Sequence, residues 1–228
     1  MIKTIYILWF QGFNNAPDIV KKCVASWKYY NSDWNIILLD DTNIIKYVNL
    51  KNYISDIYNK SIEKCHLSDI IRCILLKSYG GLWVDATTFC NKSLRDWLPN
   101  YINNGFFAFD KPGPDRLISN WFLYAEKNNY IIDKWCNTTI EYYTTNNKAH
   151  TYFIHHYLFG DLYNSDNTFK EHWDKVLKLS ANGNGPHYLQ KKNMFNKLTN
   201  TIKMILIIKL HHFINLLISV NFQIMMKL

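Results

Sequence analysis

The chain opens on an unbroken apolar run, Thr4-Ile5-Tyr6-Ile7-Leu8-Trp9-Phe10. That is the pattern of a strand buried on both faces of a parallel sheet. Gly12 and Asn14-Asn15 break the run. Pro17 then stands where a first helical residue belongs, with Asp18 in the first turn. Val20, Val24 and Trp27 recur at helical spacing to about Tyr29, and Asn31-Ser32-Asp33 stops the helix. Trp34-Asn35-Ile36-Ile37-Leu38-Leu39 is a second apolar strand, closed by Asp40-Asp41. Strand, helix and strand in this order predict a parallel pair joined by a crossover helix, and so an α/β fold.

A longer helix is predicted from about Ser61 to Tyr79. Leu67, Ile70, Ile71, Ile74, Leu75 and Ser78 share one face. Asp69 and Arg72 lie one turn apart on the other, among Cys65, Cys73 and Leu76 rather than among further charges. Gly80-Gly81 ends the helix, and Leu82-Trp83-Val84 reads as an apolar strand ending in Asp85. Gly105–Phe109 is a further strand. From Leu117 to Leu179 the pattern reads as helical and aromatic-rich, with loops near Asn128-Asn129, Asn146-Asn147 and Asn164-Ser165-Asp166. Asn182-Gly183-Asn184-Gly185-Pro186 is a loop, and no internal repeat is visible.

From Thr201 onward polar residues recur every fourth place, at His211, Asn215, Ser219, Gln223 and Lys227. This reads as an amphipathic helix, too interrupted for a membrane span. It suits an interfacial anchor or a helix packed on the domain or a partner. The expected organisation is one domain over residues 1–200 with a tail over 201–228.

The charge pattern yields a candidate site. A carboxylate closing an apolar strand, as Asp85 does, is costly if left dry and unpaired. It therefore calls for a cation, a hydroxyl or a metal, or else it caps a turn. Thr87 points the same way if the chain stays extended. Asp69 and Arg72 are either an intrahelical ion pair or the wall of a cleft. In a cleft, Arg suits a diphosphate and Asp a sugar hydroxyl. Trp9, closing the first strand, is placed to stack on a base or to join the core. His156 falls in an apolar helix and reads as core or site-lining, whereas His187 follows a Gly-Pro turn.

The 228 residues carry a net charge of +8, almost all of the positive charge from Lys, with Arg only at positions 72, 95 and 116. No dense Arg-bearing patch argues for nucleic acid. The excess suits an anionic membrane surface or phosphate-bearing substrates. The five cysteines are scattered, with no Cys-x-x-Cys spacing to mark a zinc or disulfide framework. They suggest a reduced, cytoplasmic setting, and no signal peptide is apparent.

Taken together, Trp9, Ser68-Asp69-x-x-Arg72 and Gly80-Gly81-x-Trp83-x-Asp85-Ala86-Thr87 resemble the bacterial capsular polysaccharide synthesis glycosyltransferases. Those belong with the glycosyltransferases that carry an Asp-x-Asp sugar-binding motif. Phe10-Gln11-Gly12, Ala16-Pro17-x-x-Val20, Ser26, Ala108-Phe109, Ser119-Asn120-Trp121, Tyr152-Phe153-x-x-His156 and Gly185-Pro186 fit the same pattern, which covers roughly residues 3–190. The resemblance implies a GT-A-like, Rossmann-type nucleotide-sugar-binding fold with a central, mostly parallel sheet and a helical C-terminal half. It implies transfer of a hexose from a nucleotide-diphosphate sugar, UDP-sugar favoured, to a glycan or lipid-linked oligosaccharide acceptor. Asp85 and Arg72 would be catalytic. Trp9, Asp69, Arg72, Gly80, Gly81, Asp85 and Asn120 would bind the donor, and His156 and His187 would line the acceptor side. Asp85 and Thr87 would hold Mn2+ or Mg2+, although Thr87 stands where the motif's second acid belongs. The implied location is cytoplasmic, peripheral at the inner face of the plasma membrane.

Overall fold

The computed structural model describes residues 1–182 and 185–187, together with the backbone of 217–219. Its centre is a six-stranded sheet. β1 (Thr4–Leu8) pairs in parallel with β2 (Asn35–Leu39) on one side and with β3 (Gly81–Val84) on the other. β3 runs antiparallel to β6 (Arg116–Ala125), β6 runs antiparallel to β5 (Phe106–Gly113), and β7 (Leu179–Ser180) adds in parallel to β5. The order is β2-β1-β3-β6-β5-β7, a mixed, mostly parallel α/β sheet.

α1 (Asp18–Tyr30) is the expected crossover, with Pro17 as its N-cap residue. α2 (Lys64–Tyr79) begins slightly later than the apolar pattern suggests. Gly80 ends α2 at φ 68°, and Gly81 opens β3 at φ 109°. A Cβ on Gly81 would meet the Thr4 carbonyl oxygen at 2.7 Å. A glycine is therefore required both for the backbone twist and for the close approach of β1. The three asparagine-rich loop signals fall on element ends. Asn129 caps α3 (Tyr130–Thr145) through its side chain, Asn146 closes it, and Asp166 caps α5 (Asn167–Asp174) after α4 (Ile154–Ser165).

One stretch departs from the sequence reading. Residues 117–125 form most of strand β6, not a helix. The strand is irregular: Ile118, Leu123 and Ala125 face the α2 side, while the adjacent Trp121 and Phe122 both join the α1-side cluster. β5 advances from Ala108 to Asp110 while β6 steps from Leu123 back to Ile118. Such a bulge re-aims side chains and hides the period-two alternation. The tail helix lies outside the described residues except at Leu217–Ser219. That segment is a strand, β8, antiparallel to β4 (Thr88–Cys90). The extended backbone there answers the open edge of β4, so the helical pattern does not govern those three residues.

The two faces of the sheet are packed differently. α1 covers a face on which Ile5, Ile7, Leu82, Val84, Phe107, Phe109 and Phe122 meet Trp27 and Trp97. α2, α3, α4 and α5 cover the other, through Tyr6, Leu8, Trp83, Ile118 and Leu123. Asp85 follows the alternation of β3 onto this second face.

Candidate functional site

α2 is buried nearly all round. His66, Asp69, Arg72, Cys73 and Leu76 are as enclosed as the aliphatic residues beside them. The charged side of the helix is thus pressed against the C-terminal tip of β3 and the bulged part of β6.

The Arg72 guanidinium is the hub. Its Nη2 lies 3.3 Å from Asp69 Oδ1 and 3.3 Å from Asp85 Oδ1. Nη1 donates to the Asn120 carbonyl at 2.6 Å, Nη2 to Ser68 Oγ at 3.0 Å, and Nε to the Ser68 carbonyl at 3.3 Å. The cation also sits 5.0 Å from the Trp83 ring centre. Trp83 Nε1 donates to Asp85 Oδ1 at 2.8 Å, and the Asp85 amide donates to the Trp121 carbonyl at 2.9 Å. The bulge at residues 119–122 therefore turns two carbonyls towards the site.

A second layer lies behind Asp69. Asn120 Nδ2 donates to Asp69 Oδ1 at 2.8 Å and lies 3.3 Å from His155 Nδ1. His155 Nδ1 is 3.5 Å from Asp69 Oδ1, and its Nε2 is 3.1 Å from Cys73 Sγ. The ring stacks on Trp135 with centroids 4.0 Å apart. On the other side of Asp69, His66 Nδ1 is 3.7 Å from Oδ2.

The electrostatics follow from this packing. Burial is the largest influence and works to raise the Asp69 carboxyl, but Arg72, His155 and His66 together outweigh it and hold the group well below the usual carboxylate range. Burial pushes His155 down from its ordinary value, leaving a neutral ring. His66 is pushed up to about 10, chiefly by Asp69. Asp85 is raised by burial, against the pull of Arg72 and the Trp83 N–H. Its side chain keeps 36% exposure, while those of Asp69 and Arg72 keep 8% and 5%. The outward-facing group is thus Asp85, and the two buried ones orient it.

The remaining candidates are placed as follows. The β1–β3 register, Tyr6 beside Trp83, carries Leu8 level with Asp85 and Trp9 one residue beyond, half-buried at the same end of the sheet but packed against the α1-side cluster, on the face opposite to Asp85. Gly80 and Gly81 stand at the opposite end of β3, roughly 13 Å back along the strand from Asp85, and there they serve the backbone. Thr87 is half-buried inside a turn closed by the Thr88 amide on the Asp85 carbonyl, so the extended path that would align it with Asp85 is not followed. His156 is buried against Phe153, with no hydrogen-bond partner for Nδ1 among the described residues. His187 packs 5.9 Å from Trp121, a residue of the α1-side cluster.

Sequence reasoning missed His155, one residue before the histidine it singled out. The phase of α4 turns His155, not His156, towards Asp69. Tyr152 also belongs to the rim: it is half-exposed, with its ring 6.2 Å from His66. Partial burial and the Asp85 carboxylate together push its phenol up.

The sequence matches the capsular polysaccharide synthesis protein family over residues 1–227. The chain belongs to that family. It is 28% identical to O-glycosyltransferase braB of Annulohypoxylon truncatum over 151 residues, which is 58% of this chain and 36% of braB. It is 23% identical to the uncharacterized glycosyltransferase L373 of Acanthamoeba polyphaga mimivirus over 165 residues, 63% of this chain and 66% of that protein. The chain spans little more than a third of the fungal relatives it matches. Among solved structures, PaToxG glycosyltransferase superposes with a TM-score of 0.52 at 16% identity, over 76% of this chain and 73% of that one. Apo-form glycosyltransferase GlyE of Streptococcus pneumoniae TIGR4 gives 0.51 at 11% identity, over 98% and 55%. These likenesses show a fold shared with glycosyltransferases.

Proposed function

We propose that this family member is a GT-A-type glycosyltransferase that moves a hexose from a nucleotide-diphosphate sugar, UDP-sugar favoured, to a growing surface polysaccharide. The observation that carries this reading is the half-exposed Asp85 carboxylate at the C-terminal tip of a central strand, held by a buried Arg72 that also grips Asp69. In open α/β sheets, polar ligands bind at that end of the strands. Trp9 lies at the same end of the sheet, on the α1 side, where the edge of its ring would meet a base that reaches over the strand tips. Tyr152 and the Asp85 carboxylate face the space where donor hydroxyls would lie.

Arg72 takes a different part from the one its residue type suggests. Its donors are committed to Ser68, Asn120, Asp69 and Asp85. It therefore acts as a positioning residue that fixes Asp85 and keeps Asp69 ionised, rather than as the direct partner of the departing diphosphate.

A divalent ion fits the donor set in one form. Asp85 Oδ1 is engaged by Trp83 and Arg72, and the side chain is open to solvent. Mg2+ accepts one or two carboxylates completed by substrate phosphates and water. In this reading Asp85 would hold Mn2+ or Mg2+ carried by the diphosphate, and Thr87, turned out of line with it, would reach the ion only through water. The ion would supply positive charge for the leaving group. The acceptor is a glycan or lipid-linked oligosaccharide, reached at the cytoplasmic membrane face. No helix among the described residues is long and apolar enough to cross a membrane.

Calorimetric titration with UDP- and GDP-sugars, each with and without Mn2+, tests the proposal. The expected result is saturable binding of one donor, strengthened by the ion, with slow donor hydrolysis. Absence of binding under every condition overturns it. Thr87 at the second acid position favours one alternative, a binding protein derived from such an enzyme. Donor binding without hydrolysis or transfer to any of a panel of lipid-linked acceptors would select that alternative.

A further inference from the structure

A second cluster lies at the start of α2. Donor atoms of Glu63, Cys65 and His66 all lie within 4.8 Å of one another. The sequence gives no hint of it in cysteine spacing, because the three ligand types differ and lie within four residues. Glu63 is the N-cap residue of α2, so the three side chains project from the cap and the first turn of one helix.

The dimensions match one coordination geometry. Glu63 Oε2 and Cys65 Sγ are 3.6 Å apart. An oxygen at about 2.1 Å and a sulfur at about 2.3 Å from a tetrahedral zinc ion are held about 3.6 Å from each other. One edge of the tetrahedron therefore already has the required length. A histidine nitrogen at about 2.0 Å would stand about 3.6 Å from the sulfur and about 3.4 Å from the oxygen. The 4.8 Å ceiling leaves at most about 1.4 Å to close, which a rotamer adjustment supplies.

The histidine adds an independent observation. The His66 side chain is only 5% exposed, and its Nδ1 has no hydrogen-bond partner among the described residues. Such a nitrogen is normally satisfied. Asp69 Oδ2, 3.7 Å away, is too distant for that bond but adds negative charge that favours a cation. Cys65 is the exposed one of the five cysteines, whereas Cys23, Cys73, Cys90 and Cys136 are buried. Its thiol is thus the one an ion in solution can reach.

We propose that Glu63, Cys65 and His66 form a zinc-binding site at the edge of the Asp69–Arg72 network, with a fourth coordination position open to water. Thiolate and imidazole ligands select zinc over magnesium or manganese, which prefer all-oxygen sites. Binding forms Zn–S, Zn–N and Zn–O bonds and releases two protons to solvent, one from the Cys65 thiol and one from the His66 imidazolium. The site is separate from Asp85 and does not depend on the glycosyltransferase reading.

The full chain, reduced and stripped of metal, is titrated with ZnCl2 by calorimetry and with CoCl2 by absorbance. One equivalent of zinc is expected. With cobalt, a thiolate-to-metal charge-transfer band should appear together with the visible bands of a tetrahedral ion. Cys65→Ser, at an exposed position where folding is not at stake, should abolish that charge-transfer band and weaken zinc binding at least tenfold. Glu63→Gln should weaken it less, and a large excess of MgCl2 should leave it unchanged. No saturable zinc uptake overturns the proposal. So does a cobalt charge-transfer band that survives Cys65→Ser, or displacement of zinc by magnesium.

Discussion

The two faces of the central sheet are made by alternate residues of the same strands, yet they are built on opposite principles. On the α1 side, Trp97, Phe107, Phe109 and Phe122 form a ring cluster with centroids 5.2–6.5 Å apart. On the α2 side, an arginine, two aspartates and a neutral histidine are gathered where aliphatic residues would pack. The aromatic face gains stability from area removed from water. The polar face trades much of that gain for orientation: a buried ion pair rarely adds net stability, but its members cannot be moved singly without a large cost. Both faces bury apolar area, but only the α2 side also carries the candidate site within it.

Exchanging single residues between these roles should separate them. Phe122→Ala opens a hole in the aromatic face and should cost about 3–5 kcal/mol of stability. The protein that remains folded at low temperature should bind donor like the wild type. A chemical-denaturation midpoint combined with donor calorimetry reads both quantities. A folded Phe122→Ala protein that binds donor tenfold more weakly would show that the faces are not independent.

The converse change is Asp85→Ala. It removes the exposed carboxylate and leaves Arg72 paired with Asp69. Activity should fall by about 10²–10³-fold with little change in denaturation midpoint. Retained transfer would remove Asp85 from the chemistry. Arg72→Lys is subtler. Lysine keeps the charge but cannot serve Ser68, Asn120 and two carboxylates at once. Donor affinity should drop by about tenfold, with kcat falling as Asp85 loses its orientation. Unaltered kcat and affinity would reduce Arg72 to a structural cation.

Much of this division was legible in the chain. The unbroken apolar runs of β1, β2 and β3 announce strands buried on both faces, and Asp69 and Arg72 stand out because uncharged residues flank them. Asp85 stands out because it ends an apolar strand. What stayed hidden depends on tertiary placement. β6 reads as part of a helix because its bulge interrupts the period-two alternation, with Ile118 and Leu123 on the α2 side and Trp121 and Phe122 on the α1 side. That same bulge is what presents the Asn120 and Trp121 carbonyls to Arg72 and Asp85. Likewise, His155 and His156 are neighbours in sequence, and only the docking angle of α4 decides which one meets Asp69. The feature that defeats the periodicity is the one that builds the site.

The smallest effect separates those two histidines. Burial pushes His156 down to about 3, against an ordinary value near ~6.5 in the unfolded chain. The native ring is therefore neutral throughout the mildly acidic range, while the unfolded chain takes up a proton. Stability from this group is fully present above about pH 6.5 and is lost as pH falls towards about 3, by at most about 1.4 kcal/mol per pH unit. The charged and titratable groups that act on the ring are Asp69, His155, Arg116 and Arg72. His155, also buried and neutral, adds a slope of the same sign, whereas Asp69, held low, contributes only below about pH 4. His156→Leu removes one of the two histidine slopes. Between pH 6 and pH 4.5 its denaturation midpoint should fall less steeply than that of the wild type. Parallel curves would mean that the native ring already accepts a proton in that range, and that the polar face reaches further along α4 than His155.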